Sequence, residues 1–246
     1  MEQGGECVSQ APQVEDYVNF FAEKLTEAQN IIHIAMAKDT GEEYGYAKEA
    51  AKSFENVTVI DSGHLSSSMG LAVLCAAYMV EHHAAKEDIL DSVRKMERFI
   101  SSAFIINSTH IMCQSGRIPK HIEVLCDALL LHPVLVLKKS RMMVRRVETG
   151  NFLHAAKKYI RKTLQDVKNI DRRILFITYS GMDEKHLQYI QNLVQQYCPF
   201  ERVFLQKASS SIASNCGPGS FGLLFMRRDD AAIPFFQISG QDGPAQ

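Results

Sequence analysis

Apolar residues recur along this chain with two periods, and the alternation between them marks out its elements. In residues 14–29, Val14, Tyr17, Val18, Phe21 and Leu25 fall on one helical face. Residues 30–36 form a short apolar run without helical polarity and read as a buried strand. After the loop Ala-Lys-Asp-Thr-Gly, a helix is predicted over 43–54 and a second strand over 57–60. That strand ends in the polar stretch Asp61-Ser62-Gly63-His64. The next helix starts near Ser66–Ser68, whose hydroxyls are expected to cap its free amides, and runs through Leu71, Leu74, Cys75, Tyr78 and Met79. Strands alternating with helices at this spacing predict parallel strands joined by helical crossovers. In such folds, ligands bind at the polar loops beyond the strand ends.

Past Ala84 the rhythm changes. An amphipathic helix is expected over 86–99, a strand over 103–107, a turn over 115–119 and a helix over 121–130. Residues 134–137 and 142–147 pattern as a hairpin around 138–141. A long helix over 152–167, a strand over 174–179, a helix over 183–197 and strands over 202–206 and 222–226 complete the series. Beyond Arg228, Ile233, Phe235, Phe236 and Ile238 are apolar enough to dock on a surface. There is no internal repeat or low-complexity tract.

Composition narrows the classes. With 246 residues the chain suffices for one large domain or two modest lobes. Its net charge of −1 gives no reason to expect a nucleic-acid partner. The longest nearly apolar run, residues 71–80, is far shorter than the roughly 18 residues that cross a bilayer. Residues 1–13 are acidic and lack an apolar core, so they do not read as a signal peptide. The cysteines Cys7, Cys75, Cys113, Cys126, Cys198 and Cys216 show no C-x-x-C spacing. They are therefore read as free thiols of a cytoplasmic protein with no metal site.

Four groupings carry candidate chemistry. Asp61, Ser62 and His64 offer an acid, a hydroxyl and an imidazole at a strand end. No G-x-S-x-G elbow accompanies them, and sequence adjacency does not make a catalytic relay. Loop and capping duty, and no enzyme, is the reading. His82 and His83 point different ways from a helix and read as a solvated face. The five positive charges in 138–146 sit at a hairpin tip without interleaved aromatics. They read as a solvated turn or a contact for an acidic partner. Finally, Asn215-Cys216-Gly217-Pro218-Gly219-Ser220 is a tight turn. Its amides suit an anionic head group, and a plain connection is the alternative.

Together, the motifs resemble the DegV family. Val8-Ser9-Gln10-Ala11-Pro12 is similar to its T-S-Q-P-S segment, and Val59-Ile60-Asp61-Ser62 followed by Ser66 to Leu71 to its D-S strand end and serine/glycine helix start. Gln114-Ser115-Gly116-Arg117-Ile118-Pro119-Lys120 resembles the G-G-R-I-S-K turn. Leu130-Leu131-His132-Pro133-Val134-Leu135 resembles N-I-K-P-I-L, and Cys216-Gly217-Pro218-Gly219-Ser220-Phe221-Gly222 resembles T-G-P-G-x-x-G. These segments keep family order over about residues 8–226.

The resemblance implies an α/β fold of two lobes. Residues 1–100 would form a parallel α/β/α lobe, 101–228 a lobe with a mixed sheet covered by helices, and 229–246 a tail. It implies a carrier, not an enzyme, that binds a fatty acid or related lipid non-covalently between the lobes and presents it to a fatty-acid kinase. It implies no other cofactor. By position, the lipid-binding residues are Val8, Ser9, Ala37, Lys38, Ser62, Asn215, Cys216 and Gly217. Val8 replaces the family threonine, Ala37 and Lys38 its leading serines, and Asn215 its histidine. The family's opening strand region has no counterpart here, so the first-lobe sheet is expected to be short of a strand. These departures keep a second reading open, a lipid-binding-deficient regulatory or interaction module of a larger DegV-like protein.

Overall fold

In the six strands of the larger sheet, alternate side chains choose opposite layers. The structure is a computed structural model that describes residues 9–116 and 118–228; Val8, Arg117 and the apolar positions of 229–246 lie outside the described residues. The chain begins with α1 (Val14–Lys24), β1 (Ile31–Ala35), α2 (Glu43–Ala51), β2 (Val57–Asp61), α3 (Ser66–Glu81) and α4 (Lys86–Met96). It continues with β3 (Ile100–Ile105), α5 (His110–Gln114), α6 (Lys120–Ala128), β4 (Leu131–Lys138) and β5 (Arg141–Thr149). The last elements are α7 (Phe152–Thr163), β6 (Ile170–Tyr179), α8 (Glu184–Tyr197), β7 (Arg202–Lys207), α9 (Ser210–Cys216) and β8 (Phe221–Arg227).

β1 and β2 pair in parallel through the crossover helix α2, as the alternation predicts. The remaining strands form a mixed sheet in the order β5-β4-β3-β8-β6-β7, with β6 and β7 parallel and the other pairings antiparallel. Leu175, Ile177, Phe221, Leu223 and Phe225 face α7 and α8. Ile100, Ile174 and Met226 face the opposite way, into a cluster with α3 and α4. So helices cover both faces of this sheet. The small sheet shares the α3 layer through Ile32, Ile34 and Ile60, while Val57 and Ile31 turn to α1 and α2.

Local signals explain several boundaries. Asn151 caps α7 by accepting the His154 amide at 3.0 Å, and Asp183 caps α8 from His186 at 2.8 Å. Lys139 and Ser140 both have positive φ, which a two-residue hairpin turn of the favoured hand requires. Other expectations are corrected. The Asn215–Ser220 turn begins only at Gly217, because 210–216 is helical up to Cys216, and a short helix over 110–114 stands where no element was assigned. The serines at the start of α3 do not cap it. Ser67 bonds Thr178 at 2.8 Å and Ser68 bonds Ser102 at 3.1 Å, carrying hydroxyls across to β6 and β3. Strand β3 begins at Ile100 because Met226 pairs with it there, a partner distant in sequence.

Tyr159, fully buried beneath the sheet, donates its hydroxyl to the Ala103 carbonyl at 2.6 Å and accepts the Leu223 amide at 3.0 Å. Burial pushes its phenol well above the ordinary range. Tyr159→Phe removes both of these bonds to buried backbone groups, so the unfolding free energy should fall by about 1–3 kcal/mol in a denaturant titration. No loss would remove this bridge from the account.

Candidate functional site

The β1 and β2 ends meet in a loop pair organised by Asp61. Its Oδ1 accepts the amides of Gly63 at 2.8 Å and Lys38 at 3.3 Å, and its Oδ2 accepts the Ser140 hydroxyl at 3.2 Å. Ser62 is buried; its Oγ donates to the His64 carbonyl and accepts the His64 amide, both at 3.1 Å. The Ala37 amide reaches the same carbonyl at 2.8 Å. The His64 ring turns away, its Nε2 facing the Glu97 carbonyl at 3.1 Å, while Nδ1 has no partner. Burial holds this imidazole below the ordinary histidine range. Ser62 thus meets His64 only through backbone, and Asp61 is committed to amides and Ser140. The trio builds a loop, not a proton relay.

The basic hairpin tip lands on this loop. Beside the Ser140–Asp61 bond, Arg141 Nε pairs with Asp39 at 3.2 Å. Leu137 packs with Ala37 and Leu65 in an apolar cluster that also takes in Met36, Phe104 and Ile212. Of the five cations in 138–146, Arg141 pairs with an acid of this loop, while Lys138, Lys139 and Arg145 are exposed, as the solvated reading expects. This cluster joins β1, α3, β3, β4 and α9 in one seam.

Helix α9 closes the seam on the other side. Asn215 Nδ2 donates to Ser9 Oγ at 3.0 Å and to the Ser211 carbonyl at 2.7 Å. Burial pushes the Cys216 thiol up, its bond to Ser180 opposing this. Ser220 Oγ donates to the Cys216 carbonyl at 2.7 Å and accepts the Asn107 amide at 3.1 Å. Gly217 and Gly219 have φ of 73° and 77°, and a Cβ on Gly219 would sit 2.5 Å from Asn107 Nδ2. No other residue fits there. Beneath α9 lies a slit lined by Phe104, Ile106, Tyr179, Ile212, Cys216 and Phe221, with Thr178, Ser180, Ala208 and Ser220 at its margins. Its volume of about 20 Å³ is room for little more than a water. A larger cleft of about 230 Å³ adjoins it, between the start of α3 and the ends of β6 and β7.

The support for α9 comes from α5, whose Ile111 lies 3.1 Å from where a Gly217 Cβ would stand. Helices α5 and α6 are tied by Glu123, which takes His110 Nδ1 at 2.8 Å and Lys120 Nζ at 2.7 Å. Hydrogen bonds from Cys113, Lys120 and His110 hold this carboxyl at about 2. His132, standing where the family motif has lysine, sets its ring nitrogens against the carbonyls of Asn107 at 2.9 Å and Gly150 at 3.1 Å.

Of the residues singled out from sequence, Ser9, Asn215, Cys216 and Gly217 come together at the end of α9. Ala37, Lys38 and Ser62 share the loop pair around Asp61. Ala37 is buried against Leu65 and Leu137, and Lys38 is exposed. Val8 lies outside the described residues. Sequence reasoning missed Thr178 and Ser180, and it gave Ser67 a capping role and Ser220 only a place in the turn; the four line the seam from separate strand and helix ends. Only the fold gathers them, so no local spacing could reveal them. Among the described residues, Cys75, Cys113, Cys126, Cys198 and Cys216 are free, no group of His, Cys, Asp and Glu could hold a metal, and no helix is long and apolar enough to cross a membrane.

Two outcomes follow. Ala37→Ser buries a hydroxyl where Leu65 and Leu137 pack, and should cost about 1–3 kcal/mol of stability in chemical denaturation. An unchanged midpoint would mean the seam has room to spare. Glu123 is ionised in the fold down to about 2, so its contribution is full above the unfolded value near 4.5 and is lost as pH falls through 2. Acid titration of Glu123→Gln should show a shallower loss of stability across that window than the unsubstituted protein; parallel curves would deny the role.

A profile described as "Uncharacterised protein, DegV family" matches residues 1–228. A DegV domain-containing protein of Clostridium acetobutylicum is 28% identical over 215 residues, spanning 85% of this chain and 74% of the relative. Among solved structures, one described as fatty acid binding of a DegV family protein from Thermus thermophilus superposes with a TM-score of 0.77 at 25% identity, covering 92% of this chain and 81% of that one. The Streptococcus pneumoniae fatty acid kinase B3 protein, loaded with linoleic acid, shares the fold with a TM-score of 0.74 at 14% identity over 91% and 79% of the two chains. This chain belongs to the DegV family.

Proposed function

We propose that this protein binds a fatty acid or related amphiphile without covalent chemistry and carries it to a partner enzyme, a fatty-acid kinase being the partner class. The ligand enters where lobe 1–100 meets lobe 101–228: Ser66 and Ser67 of the first line the cleft, and the slit beyond it is walled by the second alone. The observation that carries the reading is the apolar slit under α9, walled by Phe104, Ile106, Ile212 and Phe221, in a chain akin to the fatty-acid-binding Thermus protein. Each methylene moved from water into such a wall contributes about 0.8 kcal/mol, so an acyl chain gains affinity in proportion to its length. The slit has little free volume, so entry of a chain requires α9 to move outward. The end of α9 is held by bonds that include Asn215–Ser9, Cys216–Ser180 and Ser220–Cys216.

The same closure favours a second reading, a module whose own side chains fill the seam and whose role is interaction. The slit volume of about 20 Å³ and the buried Ala37 support it. Native mass spectrometry of gently purified protein separates the two. The carrier reading expects an acyl ligand to co-purify and added fatty acid to raise the melting temperature, since ligand bound only by the folded state stabilises it. Neither effect appearing would leave the interaction module.

A further inference from the structure

We propose that the cleft between the start of α3 and the ends of β6 and β7 holds the anionic end of the bound amphiphile, a role that rests on the carrier reading above. Its wall is built of Ser66, Ser67, Thr178, Gln206, Lys207 and Ser209, and no carboxylate lines it. Among the described residues, the Lys207 ammonium makes no ion pair and the Ser66 hydroxyl no hydrogen bond. Ser67 and Thr178 bond each other at 2.8 Å, which uses one hydroxyl proton and leaves the other to a ligand. Ser209 accepts the Ile212 amide at 3.4 Å and keeps its proton free. No side chain caps the first amides of α3. A wall rich in donors, with one cation and no acid, selects an anion: a carboxylate or a phosphate group.

The cleft's place in the seam says which end of a ligand it takes. Its volume of about 230 Å³ lies below the usual 300–1,000 Å³ of a complete ligand pocket, enough for a head group and its first carbons. Thr178, Ala208 and Ile212 line both the cleft and the slit, so a chain leaving the anion passes beneath Ile212 into the apolar wall. Two of the positions where the family resemblance would place the carboxylate are otherwise engaged. The Ala37 amide is bonded to His64, and Asn215 is tied to Ser9 and Ser211. The head-group site is thereby moved to α3 and β7.

The test is calorimetric binding of palmitate, palmitate methyl ester and inorganic phosphate to the full chain and to Lys207→Met and Ser66→Ala, with melting curves confirming that the variants fold. Lys207 is exposed, so its loss should leave the melting temperature unchanged. Losing a charge-assisted contact should weaken palmitate at least about tenfold in Lys207→Met, leave the methyl ester unaffected, and abolish competition by phosphate. Ser66→Ala should act in the same direction more weakly. If the unsubstituted protein binds palmitate and Lys207→Met binds it equally, the cleft is not the head-group site although the carrier reading stands. If phosphate binds without displacing palmitate, the cleft belongs to a free anion and the proposal is overturned. If neither palmitate nor its ester binds, the carrier reading falls and takes this proposal with it.

Discussion

Everything in this molecule leans on α3, a largely apolar helix packed between two sheets. Leu71, Ala72, Cys75 and Met79 share one cluster with Ile60 from the small sheet and with Ile100, Ile174 and Met226 from the large one. Burying such a side chain contributes roughly 1.5–3 kcal/mol, and the dry surroundings push the Cys75 thiol up to about 11. Two strands alone are marginal in water. The β1–β2 pair persists because α3 and α4 cover one face while α1 and α2 cover the other.

That arrangement dictates where polar chemistry can occur. An apolar helix body between sheets leaves only its start free to carry hydroxyls, and those of Ser67 and Ser68 cross to Thr178 and Ser102. The seam beside them is shut from two directions, by the hairpin tip on Asp61 and by α9 over Phe104 and Phe221. The hairpin tip extends from strands that are paired into the large sheet, whereas α9 is a short helix held by bonds such as Asn215–Ser9 and Ser220–Cys216. Admission of a long apolar chain therefore falls to α9.

Much of the architecture was legible because strand and helix periods are local. The parallel β1–β2 unit and the hairpin turn at 138–141 follow from neighbours a few residues apart. What was not legible depends on distant partners. The extension of β3 to Ile100 needs Met226, and the diversion of Ser67 and Ser68 from capping needs β6 and β3. The Arg141–Asp39 and Ser140–Asp61 contacts of the hairpin tip join residues too distant in sequence to be read from it. Likewise, the family motifs led to the two loops around Ala37 and Asn215. They could not show that Ala37 is sealed by Leu137, nor that hydroxyls from α3 and β6 meet Lys207 beside the slit.

The central claim is that the seam under α9 receives an acyl chain. Photocrosslinking with a fatty acid carrying a diazirine along its chain, followed by peptide mapping, addresses it directly. The account predicts adducts on Phe104, Ile106, Ile212 and Phe221, suppressed by excess unlabelled fatty acid. Adducts confined to exposed apolar side chains such as Val124, Leu125 and Leu129 on α6, and indifferent to competitor, would contradict it.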